Sequence, residues 1–190
     1  MKNQILLAIL VLGMAGGFYA CGDHEAHMAE VKEQIKAEMA EADAKQAEEL
    51  KAVVQNFYDQ LSTTPGEGSA AKAATYMIPD WPSTPTPPGG EKLEGFVQTL
   101  FMFHGMIPDL KWDVQEMLVI DNRVIVRSRA TGTPNSPEGY FFGVPTDGSK
   151  SFDVQTIDVH TVEDGKIVRS YHCEDWAAGI AQVSPAPAGE

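Results

Sequence analysis

The sequence of 190 residues contains only two cysteines, Cys21 and Cys173, which excludes a disulfide framework. Basic residues are scarce: 14 Lys+Arg stand against 27 Asp+Glu, for a formal net charge of −13. Phosphate neutralisation needs basic clusters, so no nucleic-acid partner is expected. Beyond the first twenty residues no stretch has the length and apolarity of an ordinary membrane-spanning helix. Proline and glycine are missing from Asp23 to Leu61, so nothing breaks a helix there. What is present, 43% hydrophobic and 22% charged residues, suffices to build a core. The length fits one ordinary domain with additional segments.

The chain start is one such segment. Met1-Lys2, the apolar run Ile5 to Leu12 and the small residues that follow read as an export signal over residues 1–20. Cys21 directly after Ala20 resembles the lipobox of bacterial lipoproteins, with Phe18 and Tyr19 where that motif has an aliphatic and a small residue. The resemblance implies that Cys21 is lipidated, leaving the protein exported and lipid-anchored to a membrane of the bacterial cell envelope. Ordinary cleavage after Gly17 would instead leave a free thiol. Loss of Lys2 takes the net charge from −13 to −14, which an anionic surface repels, so any anchor must be covalent. His24 and His27, with Asp23 and Glu25, sit beside that anchor and are not read as a metal site.

Residues 21–49, rich in Ala, Glu and Lys, read as an acidic helical stalk. Met28, Val31, Ile35 and Met39 form a weak stripe, which leaves a partner coiled coil as the competing reading. Leu50, Val53, Val54, Phe57 and Leu61 form a stronger one, so the domain's first core helix begins near Leu50. Thr63 to Gly68 breaks it, and Ser69 to Met77 reads as a second short helix. Ile78 to Gly90, with its prolines, reads as a loop that cannot hold a regular ladder. Trp81 in that loop is a lid over a pocket or a hydrophobic plug. Glu91 to Ile107 reads as a helix with the stripe Phe96, Leu100, Phe103 and Ile107, and His104 at its margin. Strands are expected over Lys111–Ile120, Arg123–Thr131, Tyr140–Val144, Ser151–Val162 and Lys166–Cys173, with hairpin turns at Asp121-Asn122 and Asp164-Gly165. Helices followed by antiparallel strands define an α+β domain over residues 50–184, with about three N-terminal helices packed on a curved sheet and a tail at 185–190.

From about Leu50 to Val183 the chain resembles the SnoaL-like polyketide cyclase (ester cyclase) family, of the nuclear transport factor 2-like cone fold. The resemblance is carried by Pro88-Gly89-Gly90, Pro108-Asp109-Leu110, Arg127 leading into Thr131-Gly132-Thr133, and Gly143-Val144-Pro145-Thr146-Asp147-Gly148. Ile157-Asp158-Val159 through Asp164-Gly165-Lys166-Ile167 to Tyr171 and Asp175 completes it. It implies a cavity at the open end of the cone, a small hydrophobic substrate and a cofactor-free reaction. An aspartate after the last strand acts as acid/base in the cyclases; the matching position is Asp175, and Tyr171 stands where tryptophan is common. It also implies a homodimer through the sheet face. Pro134 replaces a usual histidine after Thr-Gly-Thr, and the loop ahead of the glycine pair has Ser83 and Thr84 where another is common.

Read without the family, a two-residue Asp164-Gly165 turn opposes Glu163 to Lys166, so paired residue numbers sum to 329. Asp158, Tyr171, Cys173 and Asp175 would then share one face, and Ile157, Val159, Val168 and His172 the other unless a bulge intervenes. Arg127, inside an apolar strand, is the natural partner charge for a carboxylate, or a structural ion pair. Asp175 could equally cap the helical turn Trp176–Val183, Asp109 reads as a turn residue and Cys173 as a packed thiol. The site expected is therefore Asp175 as acid/base, with Arg127, Tyr171, Asp158, His104, Trp81 and His172 around a hydrophobic carbonyl compound. The alternative is a non-catalytic lipoprotein that holds a small apolar ligand or a partner chain. Asp175 desolvated beside Arg127, His104 or a tyrosine would support the enzyme; a filled cone, or Asp175 engaged only with its own backbone, would overturn it.

Overall fold

The computed structural model describes residues 21–136 and 138–185. The signal segment 1–20, the side chains of residues 21–24 (Cys21, Asp23 and His24 among them) and the end of the tail lie outside the described residues. No described helix is long and apolar enough to cross a membrane. The chain divides into two compact units, one ending at Lys45 and one starting at Gln46. Helix α1 (Cys21–Leu61) contributes to both. In the first unit its side chains are largely exposed, as an Ala/Glu/Lys composition dictates.

In the second unit α1 buries Val54, Phe57, Tyr58 and Leu61 in the core. Helix α2 (Ser69–Tyr76) ends where Met77 turns extended, two residues before Pro79. Helix α3 (Lys92–Met106) buries Phe96, Leu100 and Phe103. Strands β2 (Lys111–Ile120), β3 (Arg123–Gly132), β6 (Phe152–Glu163) and β7 (Lys166–Glu174) form an antiparallel meander, and helix α4 (Trp176–Val183) follows. The sheet is curved and unclosed, and bulges at Val114/Glu116 and Thr161/Val162 bend its strands.

Two local expectations are corrected. The proline-rich loop does hold a ladder: β1 (Ser83–Thr84) pairs parallel with Ser170 and Tyr171, giving the order β1-β7-β6-β3-β2. An edge position tolerates this, because Pro82 needs only its carbonyl, which accepts from the Ser170 N–H at 3.1 Å. The strand expected over Tyr140–Val144 is instead a tight hairpin, β4 (Tyr140–Phe141) against β5 (Val144–Pro145). Phe142 and Gly143 turn it with φ of 46° and 82°, as a two-residue hairpin of matching twist requires. The loop ahead of α3 is pinned by contact between backbones. A Cβ at Gly95 would overlap the Gly90 carbonyl, and one at Gly89 would overlap α3 itself.

Candidate active site

The β6–β7 hairpin decides which side chains meet. Its Asp164-Gly165 turn has φ of 49° and 73° and pairs Glu163 with Lys166 as expected. One pair later the register slips: Val162 opposes Ile167, but Thr161 opposes Arg169, leaving Val168 as the extra residue. Every β7 side chain beyond it changes face. Asp158 therefore lies opposite His172, not Tyr171, and Thr156 lies opposite Glu174.

The inner face now presents Thr156, Asp158 and His160 from β6 with Ser170, His172 and Glu174 from β7. All of these but Thr156 line a cavity of about 220 Å³. Two groups of touching rings form its walls: Phe57, Trp81 and Phe96, with centroids 4.9–6.2 Å apart, and Phe103, Phe142 and Trp176, 5.3–6.4 Å apart. Among the described residues no lysine or arginine lines it.

Of the expected site residues, Trp81, Asp158 and His172 meet in this cavity. The others do not. Asp175 is exposed at the N-cap of α4, where its Oδ1 accepts from the Ala178 N–H at 3.0 Å. Arg127 lies on the outer face and pairs with Glu116 at 3.4 Å; β3 turns its even-numbered side chains inward and its odd ones out. Tyr171 and Cys173 follow the slipped register to the outer face and are exposed. His104 is buried but outside the lining, its Nε2 donating to the Leu61 carbonyl at 3.0 Å. Its Nδ1 is buried without a partner.

A chain of hydrogen bonds runs along the cavity floor. The Trp81 indole N–H donates to Ser170 Oγ at 3.0 Å, and Ser170 Oγ meets His160 Nδ1 at 2.7 Å. His160 Nε2 meets Tyr58 Oη at 3.0 Å, and the Tyr58 hydroxyl donates to Asp158 Oδ2 at 2.6 Å. Because Tyr58 has given its only proton to Asp158, His160 must donate from Nε2 and accept at Nδ1 from Ser170. Burial favours that neutral ring, pushing His160 down to about 3. All the donors thus point toward Asp158. Thr156, also in reach of Oδ2 at 3.5 Å, is held by the Trp112 indole and Ser128.

Asp158 is pushed up to about 7, chiefly by desolvation; the Tyr58 hydrogen bond opposes the rise and the Glu174 charge adds to it. Both of its hydrogen bonds end on Oδ2, which leaves Oδ1 for a ligand. His172 differs from His160. Its Nδ1 meets Glu174 Oε1 at 2.8 Å and its Nε2 meets the Pro85 carbonyl at 2.7 Å. With Glu174 ionised both partners are acceptors, an arrangement that favours the doubly protonated, positively charged ring. Burial alone would lower its pKa, but the Glu174 hydrogen bond and charge, the Pro85 carbonyl and the Asp158 charge together outweigh it and hold it above the usual value.

Sequence reasoning missed Glu174 and Tyr58. Glu174 was hidden by the slipped register, and Tyr58 by its place in an apolar helical stripe. His160 was missed as well, although its signal was there: residues 156, 158 and 160 alternate onto one face whatever the register of β7.

The SnoaL-like polyketide cyclase family model matches residues 52–183. No curated protein matches the chain. Solved structures are similar. One, from Bacillus cereus and described as a polyketide cyclase, is 25% identical with a TM-score of 0.60, covering 73% of this chain and 83% of its own. A Jannaschia protein described as a SnoaL-like polyketide cyclase is 22% identical (TM-score 0.61, 74% and 95% covered). A Streptomyces galilaeus protein described as a hydroxylase is 18% identical (TM-score 0.56, 72% and 96% covered).

Proposed function

The chain belongs to the SnoaL-like polyketide cyclase family, and from that premise we propose that it is an acid/base enzyme needing no cofactor. Its substrate is a small hydrophobic carbonyl compound bound between the aromatic walls. The observation that carries this reading is one buried carboxyl, Asp158, with a free oxygen facing an apolar cavity and a pKa near neutrality. Asp175 bonds only to backbone, at a helix cap outside the cavity, which overturns the reading that made it the acid/base; the proposal rests instead on Asp158.

Asp158 Oδ1 takes a proton from the carbon beside the carbonyl, and the electron pair moves into an enolate. The His172 imidazolium, held by Glu174 and Pro85, stabilises that negative charge without moving. In an aldol closure the enolate carbon bonds to a second carbonyl, whose oxygen recovers the proton from Asp158. Isomerisation and dehydration begin with the same proton removal. Tyr58 fixes the Asp158 rotamer and keeps Oδ2 out of the reaction.

The test needs no identified substrate. A panel of small apolar 1,3-diketones in D₂O, followed by NMR, should exchange the acidic C–H faster with wild type than with Asp158→Asn. Equal exchange with a correctly folded Asp158→Asn removes the enzyme reading and leaves a binding protein, which the aromatic lining would also serve.

The sequence pattern at Cys21 supports a lipid anchor and export. The outer sheet face, where Leu118, Ile120, Ile157 and Tyr171 are exposed, supports a homodimer, which sedimentation would read directly.

A further inference from the structure

The ionisable groups at the cavity floor do not balance. Ligand atoms of Asp158, His172 and Glu174 lie within 4.8 Å of one another. Two of these side chains are carboxylates, and only His172 is positive, its two N–H groups each spent on an acceptor. His160 is neutral, Tyr58 keeps its proton, and no lysine or arginine lines the cavity among the described residues. One negative charge is therefore surplus whenever Asp158 is ionised, and it shares the cavity with the rings of Phe57, Trp81, Trp112 and Trp176. Aromatic faces attract cations through their quadrupoles, and more strongly where water is excluded. A surplus carboxylate inside an aromatic box is the chemistry that recognises an ammonium group on an apolar molecule. A metal ion fits less well, since both His172 nitrogens are already engaged and the aromatic walls offer no further ligands.

We infer that the cavity selects a small organic cation, an apolar molecule whose ammonium group takes the place of the missing positive charge beside Asp158 and Glu174. This rests on the cavity being the site proposed above, and it narrows the substrate to a carbonyl compound bearing an amine near its acidic carbon. Proton and cation then compete for Asp158. The groups facing that carboxylate are Tyr58 from α1, Thr156 and His160 from β6, and His172 and Glu174 from β7. Protonation of Asp158, which is pushed up to about 7, removes the surplus charge, so affinity should fall about tenfold per pH unit below about 7.

The experiment is calorimetric titration of the full chain with benzyltrimethylammonium, which has no proton to exchange, against phenylacetate and the uncharged isostere neopentylbenzene. The quaternary cation is expected to bind at least about tenfold more tightly than either, with the preference lost in Asp158→Asn and weakened in Glu174→Gln, folding being checked by circular dichroism. Equal affinity for the uncharged isostere would overturn the inference, as would zinc ions displacing the ammonium at stoichiometric concentration. Diketone exchange without cation preference would remove this inference and leave the acid/base reading standing. Cation preference without exchange would do the reverse.

Discussion

Replacing Asp158 by Asn should make the protein more stable at alkaline pH and leave its stability almost unchanged in acid. Asp158 rises from 3.8 to about 7 on folding, roughly 3 pH units at about 1.4 kcal/mol each. The folded state therefore binds a proton that the unfolded state has released between about pH 4 and 7, and stability falls as pH rises through that window. Above it the ionised carboxylate costs about 4 kcal/mol, which Asn does not incur. His160 complicates the wild-type profile. Its pKa falls to about 3 on folding, so in that range it makes stability rise with pH and masks the slope from Asp158. His172, whose pKa is raised, contributes stability that is lost as pH rises through its folded pKa. The difference between the two proteins removes both backgrounds to first order. Urea unfolding read by tryptophan fluorescence, at half-unit steps from about pH 3 to 8.5, should give a difference near zero at the acid end that grows by about 1.4 kcal/mol per unit between about pH 4 and 7. It should level off at about 4 kcal/mol in favour of the Asp158→Asn protein. A difference that does not vary with pH would refute the placement of a desolvated carboxyl here.

Tyr58→Phe should raise Asp158 further, because the lost hydrogen bond favoured the ionised form, and should cost about 2 kcal/mol; the alkaline shift in the pH midpoint of diketone exchange reads the first effect. Asp175→Ala should cost about 1 kcal/mol as a lost helix cap and leave diketone exchange unaltered. Gly95→Ala must push the Gly89-Gly90 backbone off α3 and should cost about 2 kcal/mol in chemical denaturation, with weaker ligand binding because Pro87 and Pro88 line the cavity. Metabolic labelling with an alkynyl fatty acid in a bacterial host should mark the wild-type chain and spare Cys21→Ser.

The α+β class, the long first helix, the helical stripe of α3 and the meander strands were legible because each rests on a local periodicity or a turn pair that short-range sterics enforce. Asp164-Gly165 specified its turn, and the residues of β6 alternated as written. What sequence could not carry was the single extra residue at Val168. A bulge costs little locally and has no composition of its own, yet with a side-chain period of two it reverses everything after it. That one slip moved His172 and Glu174 inward and turned Tyr171 and Cys173 to solvent. Asp175 and Arg127 were plausible as isolated charges; their neighbours, Ala178 N–H and Glu116, were chosen by the helix that starts at Trp176 and by the outer side of β3. Local pattern was enough for the helices, the four long strands and the alternation of β6, but not for the short strands β1, β4 and β5. Which carboxyl loses its water was a matter of the folded packing, because desolvation depends on Tyr58, Trp81 and the aromatic walls arriving from distant segments.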